Sequence, residues 1–165
     1  QIAKSLGAEV TAVCSTRNVE MVRALGADHV IDYTKEDFAN YAERFDLVLD
    51  NVGNQPLAAF RRVTKPDGIV VMIGGGGVED DGLLGPLARV IRAQVASPFV
   101  SQDFTFMIAD ITRSDLAVMS ELSETGKVMP VIDRTYALSD AAEAIRYLEG
   151  GRARGKVIVA VAPDR

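Results

Sequence analysis

The stretch Glu9 to Tyr33, EVTAVCSTRNVEMVRALGADHVIDY, restricts this chain to a narrow set of folds, because it passes from strand chemistry to helix chemistry and back within one short span. Val10, Ala12 and Val13 make a short apolar strand that ends at Cys14. Ser15, Thr16, Arg17 and Asn18 then switch abruptly to polar and helix-capping types. A helical stretch follows, stops at a glycine, and gives way to a second apolar strand that runs into Tyr33. This is one βαβ unit. In open parallel sheets the ligand crevice lies outside the carboxyl ends of the strands, so the polar tip Ser15 to Asn18 is where a bound molecule is expected.

The residues at that tip bear on which molecule. In a dinucleotide fold an Asp or Glu at the end of the second strand bonds the ribose hydroxyls of NAD, whereas a nearby Arg accommodates the extra phosphate of NADP. Here no acid ends the strand; the hydroxyls of Ser15 and Thr16 and the guanidinium of Arg17 offer donors and a planar positive fork suited to a phosphate. Tyr33, ending the next strand, can place its ring or hydroxyl beside the same group. The alternative for Ser15, Thr16 and Asn18 is that they cap the helix, with Arg17 solvated.

Consecutive αβ units extend in both directions. LGAE, Leu6 to Glu9, and LGAD, Leu25 to Asp28, punctuate two successive helices in the same way. The first helix, with Ile2, Ala3 and Leu6 on one face, is already in register at Gln1, so a strand and a tight turn are expected before it. The residues in hand would then form a doubly wound sheet truncated at its N-terminus. Downstream, Thr34 with Asp37 suggests a capped helix lined by Phe38, Tyr41 and Ala42. FDLVLDNVG, Phe45 to Gly53, reads as a strand covered on both faces. Asn54 opens a helix with Pro56 in its first turn, and Lys65 to Gly68 form a turn into a buried strand, Ile69 to Ile73. Four glycines, Gly74 to Gly77, allow close backbone approach to a ligand or form a plain surface loop. A helical pattern covers Leu83 to Gln94, TFMIA, Thr105 to Ala109, returns to strand chemistry, and Ser114 with Asp115 starts a further helix that ends at Gly126. Pro130 to Leu138 is extended, Ser139 caps a helix carrying Ala141, Ala144, Ile145 and Leu148, and Gly155 to Val161 makes a closing strand.

Composition narrows the function. At 165 residues and 48% apolar the chain has one ordinary core to build. A net charge of −5 with no basic run argues against nucleic acid or an acidic membrane as partner. No apolar run reaches the length of a membrane span. The single cysteine excludes an internal disulfide framework and fits a reducing, cytoplasmic setting. No catalytic triad, paired metal ligands or obvious general base is visible, and the only histidine, His29, suits a surface or packing role beside Asp28. No catalytic side chain and no metal ligand is therefore assigned.

Taken in order, QIAKSLGAEVTAVCST, LGADHVIDY, FDLVLDNVG, GKVMPVIDRTYALSDAAEAI and GGRARGKVIV resemble the C-terminal portion of a medium-chain dehydrogenase/reductase of the zinc-independent, quinone-oxidoreductase-like branch. That resemblance implies an incomplete Rossmann domain over residues 1–128 and a strand-helix-strand segment over 129–165 that returns to a GroES-like substrate domain. It implies hydride transfer from NADPH to a quinone or a carbonyl-conjugated alkene, a small-molecule substrate, and a homodimer joined through a sheet edge. It also assigns Ser15, Arg17 and Tyr33 to the adenosine phosphate, Asn51 and Gly53 to the cofactor at the end of their strand, and Ile73 and Gly74 to the nicotinamide ribose. Phe106 matches a position beside the nicotinamide, or is a core aromatic; Arg154 and Lys156 match a closing basic motif near the cofactor, or form a solvated turn. Two rivals are a non-catalytic NADPH-binding relative and a Rossmann-like methyltransferase. The second is disfavoured because Cys14 and Ser15 stand where its ribose-binding acid belongs.

Overall fold

The computed structural model, which describes residues 1–73, 101–107 and 110–161, alternates parallel strands with short helices, a Rossmann-like α/β arrangement. Gly74, with the rest of the glycine run, the helical pattern over 83–94 and the end of TFMIA lie outside the described residues. The chain divides into two compact units, one made of Gln1–Asp32 with Thr112–Arg165, the other of Tyr33–Ile111.

In the first unit, helix α1 (Ile2–Ser5) ends where Gly7 turns to φ 86, and α2 (Val19–Ala24) ends where Gly26 turns to φ 102. The repeated LGA is thus a repeated helix stop that only glycine enters without strain. Strands β1 (Thr11–Cys14) and β2 (His29–Asp32) pair in parallel, from Thr11 opposite His29 to Cys14 opposite Asp32. Asp28 ties the two helix ends together: its carboxylate accepts from Lys4 Nζ at 2.8 Å and from the Val10 N–H at 2.7 Å. Helix α3 (Leu57–Val63) belongs to the second unit, and the next helix of the first is α4 (Arg113–Glu124). Its cap is Thr112 rather than Ser114, because Thr112 and Asp115 satisfy each other's backbone amides in a capping box. Strand β6 (Ile132–Ala137), helix α5 (Ala141–Glu149) and strand β7 (Lys156–Ala160) then form a parallel strand-helix-strand segment. Ser139 does not cap α5; its hydroxyl donates to Asp140 within the 3₁₀ turn that leads into the helix.

The second unit is a three-stranded parallel sheet, β3 (Phe45–Asp50), β4 (Thr64–Met72) and β5 (Asp103–Phe106), in that order. Its core is Phe60, Val70, Met72 and Phe104, with Phe38, Val48, Leu57 and Phe106 packed against them. Three expectations change here. The helix from Thr34 is instead a single 3₁₀ turn, Phe38–Asn40, capped by Asp37, whose carboxylate takes the Ala39 N–H at 2.9 Å. Lys65 to Gly68 do not leave the sheet but bulge within β4, where Gly68 is held so close to Phe45 that a Cβ would stand 3.0 Å from its carbonyl oxygen. Among the described residues strand β3 is covered on one face: Val48 turns to the core, while Leu47 and Leu49 are each 53% exposed. Period-two alternation sends neighbouring side chains to opposite faces, and among the described residues only one face receives a helix.

Candidate cofactor-binding site

The carboxyl ends of β3, β4 and β5 are in register, with Asp50 opposite Met72 and Met72 opposite Phe106. Asp50 is 6% exposed, and its Oδ1 accepts from the amides of Val52 at 3.2 Å and Gly53 at 2.8 Å. The carboxylate therefore folds the chain back just past the strand, a turn that Gly53 completes at φ 76. Asn51, between them, is left exposed at the tip. Ile73 continues the sheet by donating its N–H to the Asp50 carbonyl at 2.8 Å. Phe106 is half-buried and packs against the core, so the aromatic role in the strand is real and its outer surface stands at the same carboxyl edge.

In the other unit, the tip after β1 departs from the helix-capping expectation. Neither Ser15 nor Asn18 makes a side-chain capping bond, although each occupies a cap position. Thr16 donates its hydroxyl to the Asp32 carboxylate at 2.5 Å, and Asp32 is 7% exposed. An acid thus does lie beside the tip, on the neighbouring strand opposite Cys14, but it is turned onto Thr16. Burial, followed by the charge of Asp32, raises the Cys14 thiol above its ordinary pKa, which keeps it protonated and unreactive at neutral pH. Tyr33 follows Asp32 directly and is exposed.

The two loops that carry Arg17 and Arg154 meet within this unit. Arg17 Nη2 donates to the carbonyl of Arg152 at 3.1 Å, and Arg154 Nε donates to Asn18 Oδ1 at 3.2 Å. The segment Gly151 to Lys156, read as a basic motif, is therefore brought against the loop after β1. Three guanidiniums, those of Arg17, Arg152 and Arg154, belong to these two touching loops, and none of the ion pairs found among the described residues uses them. Lys156 opens β7, where its N–H donates to the Val131 carbonyl at 2.7 Å and its side chain is exposed. Sequence reasoning missed Asp32, Asp50 and Asp133 as organisers of these loops; a signal was available, since Asp32 and Asp50 each end a strand. His29 sits 3.2 Å from Glu9 Oε1 at the surface. Among the described residues no group of three or more His, Cys, Asp or Glu side chains converges as metal ligands would, and no helix is long and apolar enough to cross a membrane.

Residues 25–159 match the family model of zinc-binding dehydrogenases. The chain is 34% identical over 168 residues to a trans-enoyl reductase of Aspergillus terreus, covering 98% of this chain and 47% of that protein. It is 33% identical over 163 residues to a chloroplastic NADPH-dependent alkenal/one oxidoreductase of Arabidopsis thaliana, covering 96% of this chain and 36% of that protein. Among solved structures, the quinone oxidoreductase of Coxiella burnetii superposes with a TM-score of 0.76 at 27% identity, over 98% of this chain and 47% of that one. The chain spans about half, or less, of the length of the proteins it matches.

Proposed function

Because this chain belongs to the zinc-binding dehydrogenase family of medium-chain dehydrogenases/reductases, we propose that it is the cofactor-binding portion of an NADPH-dependent oxidoreductase acting on quinones or carbonyl-conjugated alkenes. The observation that carries the cofactor assignment is the pair of touching loops that present Arg17, Arg152 and Arg154, with the nearest strand-end acid, Asp32, already bonded to Thr16. A phosphate ester meets positive forks there, and the Asp32 carboxylate already holds a hydroxyl donor. Bound nicotinamide supplies the hydride. The chain's own residues bind and orient it: Ser15, Thr16 and Arg17 toward the phosphate, with Arg154 on the touching loop; by resemblance Tyr33 is assigned to the same group and Lys156 lies near the cofactor. Asn51, Gly53, Ile73 and Phe106 serve the nicotinamide end, where backbone and ring edges line the carboxyl side of the sheet; Gly74 is assigned there by resemblance alone.

The remaining assignments rest on that resemblance and on composition. Residues 1–128 serve as the nucleotide-binding part and 129–165 as the segment returning to the substrate domain. The whole protein is a homodimer, for which light scattering is the check, and it belongs to the zinc-independent branch, for which metal content after purification is the check. It works in a reducing compartment, the cytoplasm by our reading, with a small-molecule substrate and neither nucleic acid nor membrane as partner. The test of function is cofactor oxidation by the full-length protein against a panel of quinones and enones. Turnover with NADPH and little with NADH is the expected result. Equal use of both would refute the cofactor assignment, and tight NADPH binding without turnover on any acceptor would favour a regulatory relative.

A further inference from the structure

The turn that joins α5 to β7 is held at three points. Gly151, at φ 63, takes the chain out of the helix. Gly155 passes so close to Val131 that a Cβ would stand 2.4 Å from its carbonyl oxygen, the same oxygen that accepts the Lys156 N–H at 2.7 Å. Between these, one carboxylate oxygen of Asp133 accepts the Arg154 N–H at 2.9 Å and the Tyr147 hydroxyl at 2.7 Å. The Arg134 guanidinium lies 4.1 Å from the centre of the Tyr147 ring and keeps that ring in place. The turn fixed in this way is the one that offers its Arg152 carbonyl to Arg17 and its Arg154 guanidinium to Asn18.

We propose that Asp133 is a positioning residue for cofactor discrimination: by anchoring the Arg152–Arg154 turn it holds Arg17 and Arg154 in readiness for the 2′-phosphate. The proposal rests on the NADPH assignment above. Long arginine side chains lose rotamer freedom when they bind, and a site that has already restricted them forfeits less on association. Asp133 itself bonds Tyr147 and a backbone amide, so its effect reaches the phosphate only through the turn. NADH carries no group to feel that effect, whereas a general loss of structure would weaken both cofactors alike.

The experiment is equilibrium binding of NADPH and NADH, together with 2′,5′-ADP and 5′-AMP, to the full-length protein and its Asp133→Ala, Asp133→Asn and Tyr147→Phe variants, each checked for an unchanged melting profile. Asp133→Ala is expected to weaken NADPH and 2′,5′-ADP by about ten-fold and to leave NADH and 5′-AMP within about two-fold. Asp133→Asn keeps an oxygen acceptor and should recover most of the loss. Tyr147→Phe removes one of the two bonds without touching the carboxylate and should fall between, which keeps the test alive if Asp133→Ala folds poorly. A wild-type protein that prefers the phosphorylated ligands, with variants that keep the same preference, would overturn this role and leave the NADPH assignment standing. A wild type with no preference would overturn both.

Discussion

Replacing Arg17 with alanine is the most direct probe of the proposed phosphate site. Its guanidinium carries five N–H donors, and in the structure the Nη2 nitrogen is engaged with the Arg152 carbonyl at 3.1 Å. The remaining donors are available to a phosphate, in a 3₁₀ turn that is open to solvent. Losing a charge-assisted hydrogen bond costs about 1.5–3 kcal/mol, which corresponds to roughly 10- to 150-fold in NADPH affinity. Arg154 reaches the same loop and can take up part of the charge, so the lower end of that range is expected. Arg152 is an exposed residue, so its carbonyl can turn to water and truncation adds little of its own. Arg17→Lys keeps the charge without the planar fork and should fall between wild type and Arg17→Ala. Titration calorimetry of the full-length protein with NADPH and NADH, at low and at high salt, reads the effect. The difference between wild type and variant should shrink as salt rises, because the Debye length falls from about 10 Å at 0.1 M to about 3 Å at 1 M. An Arg17→Ala protein that loses NADPH and NADH equally, or loses neither, would refute a phosphate contact here.

Two further outcomes follow from the packing. Gly155→Ala would drive a methyl group into the Val131 carbonyl, 2.4 Å away, and displace the Lys156–Val131 hydrogen bond; overpacking and one lost bond together cost about 2–4 kcal/mol, visible as a lower denaturation midpoint, and an unchanged midpoint would show that β7 can shift freely. Acid should also destabilise the fold: Asp28 is held below the usual carboxylate range by Lys4 and then the Val10 amide, Asp46 by Lys65, Asp115 by Thr112, and Asp133 by Tyr147 and then the Arg154 amide. A depressed folded-state pKa means stability that is complete above the unfolded value and is lost as pH falls through the folded one, so the decline belongs below about pH 4. These groups are exposed, and the decline should be shallow and weakened by salt. Melting temperatures that fall steeply between about pH 7 and pH 5 would contradict that window.

Much of the fold was legible because its signals are local. The two LGA stops, the apolar runs of β1, β3 and β4, and the β6-α5-β7 segment each follow from residues that decide their own backbone within a few positions. What was not legible depended on partners distant in sequence. Thr34 and Asp37 resemble a helix start, yet Phe38 is drawn onto Phe60, with ring centroids 5.7 Å apart, and the segment tightens to one 3₁₀ turn. Lys65 to Gly68 have turn composition, yet Thr64 bonds back to the Phe60 carbonyl and Lys65 pairs with Asp46, which keeps the segment on the sheet as a bulge. The polar tip Ser15 to Asn18 was located correctly from the βαβ pattern. The contact with Arg152 and Arg154, more than a hundred residues away, has no local signature at all.

The strand-end acids show why a tally of carboxylates is an incomplete guide to cofactor choice. Asp32 and Asp50 both sit at the carboxyl end of a strand, where an acid is ordinarily read as a ribose ligand, and both are buried. Each already holds donors from this chain: Asp32 takes the Thr16 hydroxyl, and Asp50 takes the amides of Val52 and Gly53. A carboxylate that already holds donors from its own or a neighbouring loop has less accepting capacity left for a ribose hydroxyl and shapes the loop as well. Arg17 and Arg154 are exposed residues of the loop after β1 and of the turn before β7, where an approaching anion can reach them. On the proposed NADPH assignment, preference for a phosphorylated ribose follows from the bonds these acids already make as well as from the arginines, and a substitution that released Asp32 from Thr16, such as Thr16→Val, is expected to move the ratio of NADPH to NADH affinities toward the unphosphorylated cofactor even with every arginine in place.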